Sequence, residues 1–200
     1  MPVGEFLYGD DKKKLHLDEF WIAKTPVTNA EYARFVAEMK VQPPKHWKGN
    51  TPPAELANHP VVNVAWHEAK AYAEWAGMAL PTEQQWQKAA RGTDGREYPW
   101  GNEWRKNHCN TWESGIGSTT PVGQFTPQGD SVYGCVDMAG NVWEWTSTWL
   151  DEEENSRVLC GGSWLNDHGL ARVALRLRYD PVNSLNFIGF RVVSPVVSGS

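Results

Sequence analysis

Residues 137–145 read DMAGNVWEW, and this stretch decides how the rest of the chain is interpreted. Glycine and asparagine at 140 and 141 are typical of a tight turn. The apolar and aromatic residues that follow predict a short strand over residues 142–145. The chain has twelve tryptophans in 200 residues and 22% charged residues, whereas disordered chains are poor in aromatics. The sequence therefore predicts an aromatic-rich globular domain.

Three helices are predicted upstream of this turn. Thr28 with Glu31, and Thr82 with Gln85, have the spacing of a capping box, in which the two residues satisfy each other's free backbone N–H groups. Apolar residues recur at helical spacing behind Thr28 and Thr82. A further helix is predicted over residues 66–77, where a glycine ends it.

The remaining segments predict short, irregular structure. Residues 93–134 are rich in glycine, proline, asparagine and serine, and are too long for a structureless loop in a compact domain. We expect a bound ion and the tryptophans of this segment to hold it in place; the tryptophans are Trp100, Trp104 and Trp112. Further short strands are predicted at residues 157–159, 171–177 and 189–193, and a solvated acidic turn at 151–154. The expected fold is α+β, in a single domain over residues 1–200.

Charge and hydropathy exclude several classes of protein. The formal net charge of −5 and the pI near 5.7 argue against nucleic-acid binding. No run of eighteen apolar residues is present, so membrane insertion is not expected. Residues 1–6 lack the basic start and apolar stretch of a signal peptide. We expect a cytoplasmic protein, or a domain carried by other domains.

The cysteines do not form a disulfide framework. Cys109, Cys135 and Cys160 are odd in number and include no CxxC pair. Three reduced, buried thiols are the favoured interpretation. One bridge with a single thiol left over is the alternative.

A series of motifs resembles the formylglycine-generating-enzyme (sulfatase-modifying factor) family. They occur in family order: FWI at 20–22, VTN at 27–29, HPV at 59–61, LPTE at 80–83, AARG at 89–92, YPWG at 98–101, DMAGNVWEW at 137–145, GGSW at 161–164 and GFR at 189–191. The resemblance implies a C-type-lectin-like fold with about three helices and a short twisted central sheet.

The resemblance also identifies where the family's oxidases carry their chemistry. Those enzymes use two cysteines that bind copper and convert a substrate cysteine to formylglycine. Thiolates are needed because soft sulfur ligands hold Cu(I). In this chain the two positions fall on His168 and Val173, and Cys160 lies outside the pair. We therefore expect no copper and no catalysis.

The family's enzymes carry structural calcium, and the resemblance implies one site in residues 137–145. Asp137 and Glu144 would supply side-chain oxygens, and Gly140 and Val142 would supply backbone carbonyls. An oxygen-only set of this kind suits Ca²⁺. The alternative is a tight turn in which Glu144 pairs with an arginine. A second family site maps to residues 110–116, where Ser114 replaces the usual aspartate, and we expect it to be lost.

A fixed scaffold is recognisable in the C-terminal segment, at residues 161–164, Arg172, Arg176, Pro181 and residues 188–191. With this scaffold, residues 157–193 resemble the variable region of proteins diversified by retroelements, several of which share this fold. Randomising the adenines of asparagine codons cannot produce Lys, Glu, Gln, Met or Trp. Residues 1–164 contain 47 residues of these five types, and residues 165–200 contain none. Thirteen positions are therefore predicted to bind a ligand: Leu165, Asn166, Asp167, His168, Leu170, Leu177, Arg178, Tyr179, Asp180, Asn183, Leu185, Asn186 and Phe187. Ordinary strand and loop packing is the alternative for these positions.

Three functions compete at this stage. The favoured one is a non-catalytic binding protein with a diversified C-terminal surface and a macromolecular ligand, which we expect to be a protein. Loops on a rigid scaffold are where recognition usually occurs, and aromatic residues beside Asn, Asp and Arg resemble adaptable binding surfaces. The alternatives are a formylglycine-generating oxidase acting on a sulfatase cysteine, and a structural copy of the fold with no ligand.

Overall fold

The computed structural model describes residues 1–150 and 155–194. The predicted acidic turn at 151–154 lies outside these residues. Within them, the chain has a C-type-lectin-like α+β fold with three α-helices and a small mixed sheet. The expected fold class is confirmed.

The helices begin where their capping residues predict. Helix α1 spans Asn29–Met39, α2 spans Trp66–Trp75 and α3 spans Glu83–Arg91. At α1, the Glu31 N–H donates to Thr28 Oγ1 at 3.3 Å and the Thr28 N–H donates to Glu31 Oε2 at 2.8 Å. The Thr82–Gln85 box at α3 has the same two bonds, at 3.1 and 2.9 Å. Both capping boxes are confirmed.

The strands form two sheets. Strands β1 (Gly4–Tyr8) and β2 (Lys13–Leu17) make an antiparallel hairpin. The central sheet has the order β5-β4-β3-β6. Its strands are β3 (Trp143–Trp149), β4 (Arg157–Cys160), β5 (Arg176–Tyr179) and β6 (Ile188–Phe190). Strand β4 is antiparallel to β3 and β5, whereas β6 is parallel to β3. Residues 157–193, which we call the C-terminal segment, therefore supply both edge strands of the central sheet, β5 and β6.

One strand differs from its prediction, and one hairpin was not predicted. The expected strand over residues 171–177 is regular only from Arg176 onwards, and His168–Ala171 forms a 3₁₀ turn. Asp167 caps this turn by accepting hydrogen bonds from the N–H groups of Gly169 and Leu170. In the β1–β2 hairpin only Phe6 is buried.

The core contains aromatic side chains from the helices and the sheet. Trp143, Trp145 and Phe190 are at most 1% exposed. The Phe190 ring makes edge contacts with Tyr32 of α1 and Tyr72 of α2, with ring centroids 6.2 and 5.4 Å apart. The helices therefore hold one side of the central sheet and fix β6 in place.

The long loop over residues 93–134 is held partly by asparagine side chains. Asn141 accepts a hydrogen bond from the Thr120 N–H and donates to the Thr120 carbonyl. Asn110 donates to the Ser118 carbonyl at 2.8 Å. Trp100 stacks on Tyr98 and packs near Trp104, as expected, whereas Trp112 is 70% exposed. The expectation that Trp112 holds the loop is wrong.

In the described part of the chain, no helix has both the length and the apolar character needed to cross a membrane.

Candidate functional site

The C-terminal segment rests on a buried scaffold. Gly161, Gly162 and Ser163 are buried at the start of the segment, and β6 is buried near its end. Gly162 has a φ of +76°, and a Cβ there would lie 2.8 Å from the Cα of Ala171. Glycine is thus required at this position because the 3₁₀ turn at His168–Ala171 packs directly against it. The thirteen positions predicted from the sequence lie between these fixed ends, and we call them the recognition surface.

The first part of the recognition surface combines one internal residue with several exposed ones. Leu165, Asp167, His168 and Leu170 are exposed. Asn166 is half-buried, and its Oδ1 accepts hydrogen bonds from Trp143 Nε1 at 2.8 Å and from the Ser163 hydroxyl at 2.6 Å. The Asn166 Oδ1 atom therefore supports the loop from inside.

His168 is tied to the neighbouring loop. Its N–H and its Nδ1 both lie within hydrogen-bond distance of Glu113 Oε1, at 2.9 and 2.7 Å, and its ring stacks on Trp104 with centroids 5.0 Å apart. Burial raises the pKa of Glu113, but the hydrogen bonds from His168 outweigh this effect and lower the pKa to about 2. Glu113 thus remains ionised and fixes the position of the 3₁₀ turn.

The second part of the recognition surface includes β5 and the loop that follows. Along β5, Arg176 and Arg178 are exposed, while Leu177 and Tyr179 lean onto the core. This is the alternation of a strand with one solvated face. Leu185 also packs partly against the core, and the half-buried Asn183 donates from its side chain to the Asp180 carbonyl at 3.2 Å.

The aromatic pair of this part is less exposed than expected. Tyr179 and Phe187 make an edge contact with centroids 6.4 Å apart, and both are half-buried against the core. Asp180 and Asn186 are exposed. Because they flank the turn at Pro181, the side chains of Tyr179, Asp180, Asn186 and Phe187 are expected to be substantially exposed. This is correct for Asp180 and Asn186 and wrong for the two aromatic rings, which pack against the core.

The two parts of the surface meet at Trp164. Its indole N–H donates to the Asn186 carbonyl, with 3.4 Å between Nε1 and the oxygen. Trp112 adjoins the first part, since its N–H donates to the Asn166 carbonyl at 2.8 Å. Sequence reasoning missed Trp112 as a surface residue. Only the packing of its loop decides that a tryptophan is exposed, so no local signal could have found it.

The two positions that the resemblance assigns to the oxidases' cysteine pair hold no sulfur. His168 is exposed and bonded to Glu113, and Val173 is fully buried. Cys109, Cys135 and Cys160 are free and buried elsewhere, and burial raises the pKa of all three thiols. Across residues 1–150 and 155–194, no three His, Cys, Asp or Glu side chains are grouped so that they could hold a metal ion.

Glu144 is part of a buried ion pair. Its Oε2 accepts from Arg191 Nε at 2.6 Å and from Trp86 Nε1 at 2.7 Å, and its Oε1 accepts from Arg191 Nη2 at 2.7 Å. Glu144 and Arg191 are both 0% exposed. This geometry matches the alternative in which Glu144 pairs with an arginine, and both of its oxygens already have strong donors.

The other residues of the predicted calcium set have partners of a different kind. The Asp137 carboxylate accepts from the Gly123 N–H at 2.8 Å, and burial raises the pKa of Asp137 to about 6. The Gly140 N–H donates to the Gly161 carbonyl at 2.7 Å. The Glu144 carboxylate is already neutralised by Arg191. The predicted ligand set therefore does not fit calcium in this arrangement; its members are Asp137, Gly140, Val142 and Glu144. We derive no role for calcium.

The second family calcium position is also occupied by protein hydrogen bonds. Asn110 Oδ1 accepts from the Ser114 hydroxyl at 2.9 Å, and its amide donates to the Ser118 carbonyl. Since Ser114 stands where the family has an aspartate, this loop is closed by neutral hydrogen bonds.

The C-type-lectin-like fold with a GGSW…GFR scaffold defines a class of domain, and comparison with known proteins gives its family. Residues 1–196 match the sulfatase-modifying factor enzyme 1-like domain. The chain belongs to this family.

Its relatives include enzymes and an inactive homologue. The chain is 33% identical to the inactive C-alpha-formylglycine-generating enzyme 2 of Mus musculus, over 97% of this chain and 84% of that protein. It is 41% identical to the formylglycine-generating enzyme of Streptomyces coelicolor, over 72% of this chain but only 55% of the enzyme. Among solved structures, Treponema denticola variable protein 1 superposes with a TM-score of 0.79 at 20% identity, covering 96% of this chain and 92% of that one.

Proposed function

We propose that this chain is a non-catalytic binding protein, that its recognition surface binds a folded protein, and that a retroelement diversifies this surface. The observation that carries the proposal is the contrast between the surface and its support. Seven of the thirteen positions are exposed: Leu165, Asp167, His168, Leu170, Arg178, Asp180 and Asn186. The glycine loop and β6 on either side are buried. Side chains can therefore vary at the surface while the scaffold is unchanged.

Sequence composition supports diversification of the same segment. The five residue types that randomised asparagine codons cannot encode are absent from residues 165–200 and number 47 in residues 1–164. The structural neighbour from Treponema denticola is itself named a variable protein. Its fold supports the proposal because a protein named as variable shares this scaffold.

The chemistry of the surface favours a protein ligand. Leucines, half-buried aromatic rings and Asn, Asp and Arg side chains lie side by side, as in binding surfaces that adapt to folded proteins. The chain's net charge of −5 disfavours a polyanion. An oxidase is the second candidate because of the 41% identity to the Streptomyces coelicolor enzyme, but the family resemblance places His168 and Val173 where the oxidases have their cysteine pair.

The genomic surroundings of the gene test the proposal. We expect a second, near-identical copy of the DNA for residues 157–193 beside a reverse transcriptase gene. Differences between the copies should fall at adenines of the second copy, in the codons of the thirteen positions. A gene with no such copy, or with differences spread over the scaffold codons, would contradict diversification.

A further inference from the structure

Trp112 is an exposed tryptophan at the border of the recognition surface. It is 70% exposed, although its own N–H donates to the Asn166 carbonyl at 2.8 Å. The next residue, Glu113, holds His168 through Oε1. Trp112 therefore contacts one of the thirteen positions through its backbone and precedes the residue that holds a second. It lies outside residues 157–193, so diversification would leave it unchanged.

The backbone that carries Trp112 is fixed. Trp112 begins a 3₁₀ turn, Trp112–Ser114, behind Thr111 and Asn110, which are at most 1% exposed. The Ser114 N–H donates to the Thr111 carbonyl and its hydroxyl donates to Asn110 Oδ1, both at 2.9 Å. A tryptophan on a rigid backbone loses only the freedom of its own two side-chain torsions on binding, which makes it an efficient contact residue.

The size of the recognition surface leaves room for such a residue. A standard protein interface uses roughly 20–30 residues on each side. The thirteen positions are fewer, and six of them are half-buried. A protein footprint must therefore extend onto neighbouring residues. Tryptophan is among the residue types that contribute most to binding energy, and exposing an indole has no folding benefit.

We infer that Trp112 is a constant anchor for the protein ligand, which presents an apolar depression to the indole, while the thirteen positions set specificity around it. The inference rests on the proposed function. Trp112 would contribute affinity to every ligand, whatever residues the retroelement places beside it. Binding would then not have to be rebuilt entirely from the diversified positions.

A display library tests the anchor with a defined probe. The full chain is displayed on yeast with Leu165, Leu170, Arg178, Asp180 and Asn186 randomised, and clones are selected for binding to lysozyme. Trp112→Ala is then introduced into several independent clones. The matched control is Trp21→Ala, because Trp21 is 72% exposed and lies in a groove that none of the thirteen positions lines.

We expect Trp112→Ala to weaken lysozyme binding at least tenfold in most clones, and Trp21→Ala to change it less than twofold. Both variants should keep the parent melting temperature, since both indoles are mainly exposed. Equal and small effects of the two substitutions overturn the anchor while leaving the binding function intact. A library that yields no lysozyme binder contradicts the proposed function, and the anchor with it.

Discussion

Glu144 and Arg191 show how a single pair of residues can determine the interpretation of a motif. Both are fully buried, and Arg191 also donates to the Val136 carbonyl at 2.9 Å. Removing two charges from water is costly, and only good geometry with every donor and acceptor used offsets the cost. Here the ion pair connects the turn at 137–145, through Glu144, to Arg191, which directly follows β6. A residue predicted as a calcium ligand thus connects the centre of the sheet to its edge.

Replacing Glu144 by Gln should destabilise the protein strongly. The substitution leaves Arg191 charged and buried without its partner, which costs about 3–5 kcal/mol in comparable pairs. EDTA should leave the melting temperature of the wild type unchanged. Thermal melts of both proteins, with and without EDTA, check this. A wild type that EDTA shifts towards the variant would instead show that a bound cation stabilises the native state.

Scaffold and surface residues should differ sharply in their contribution to stability. Phe190→Ala removes a fully buried ring and should lower the free energy of unfolding by about 3–5 kcal/mol. Asp180→Ser with Asn186→Ser should cost about 1 kcal/mol or less in total, because both side chains are exposed. Urea denaturation measures all three proteins. A double serine variant as unstable as Phe190→Ala would show that these two positions belong to the scaffold.

At the scale of elements, the helices were predictable because their signals are local. Thr28, Glu31, Thr82 and Gln85 make the bonds that their spacing predicts. The 3₁₀ turn at His168–Ala171 has one local signal, its Asp167 cap, but it also depends on a contact across the chain. Glu113 holds His168 from 55 residues away, and no local pattern in the sequence indicates this tertiary contact.

The link between Glu113 and His168 should make the protein sensitive to acid. The pKa of Glu113 is lowered from 4.5 to about 2, so its contribution to stability is complete above about pH 4.5 and is lost as the pH falls towards 2. Glu113→Gln should remove that part of the pH dependence. Its stability should differ from the wild type by about 1–3 kcal/mol at pH 6 and by little near pH 2.

Urea unfolding of both proteins at several pH values between 2 and 6 measures the difference. Comparing the two proteins cancels the titration of other groups, such as Asp137, whose pKa is raised to about 6. A difference that stays constant over this range would show that the Glu113 carboxylate contributes no charge-dependent stability.

At the scale of the whole molecule, motif order predicted the fold, but side-chain exposure required the structure. The GGSW and GFR motifs bracket the segment, and their buried residues fix where its surface must lie. Whether a given residue points outwards depends on packing. Asn166 supports its loop from within and Tyr179 leans on the core, while Trp112, which was expected to be internal, is exposed. Local patterns cannot distinguish these cases because each depends on a distant partner.

The whole chain should show no copper-dependent oxidation of a sulfatase-type cysteine peptide. The reaction needs two sulfur ligands for Cu(I) at one site. His168 stands at one of the two positions, bonded to Glu113, and a fully buried Val173 stands at the other. The formylglycine-generating enzyme of Streptomyces coelicolor is the positive control. Mass spectrometry of the peptide after incubation with each protein and copper measures formylglycine. Turnover by this chain that a copper chelator abolishes would make it an oxidase with a different ligand set, since its free thiols at 109, 135 and 160 are all buried.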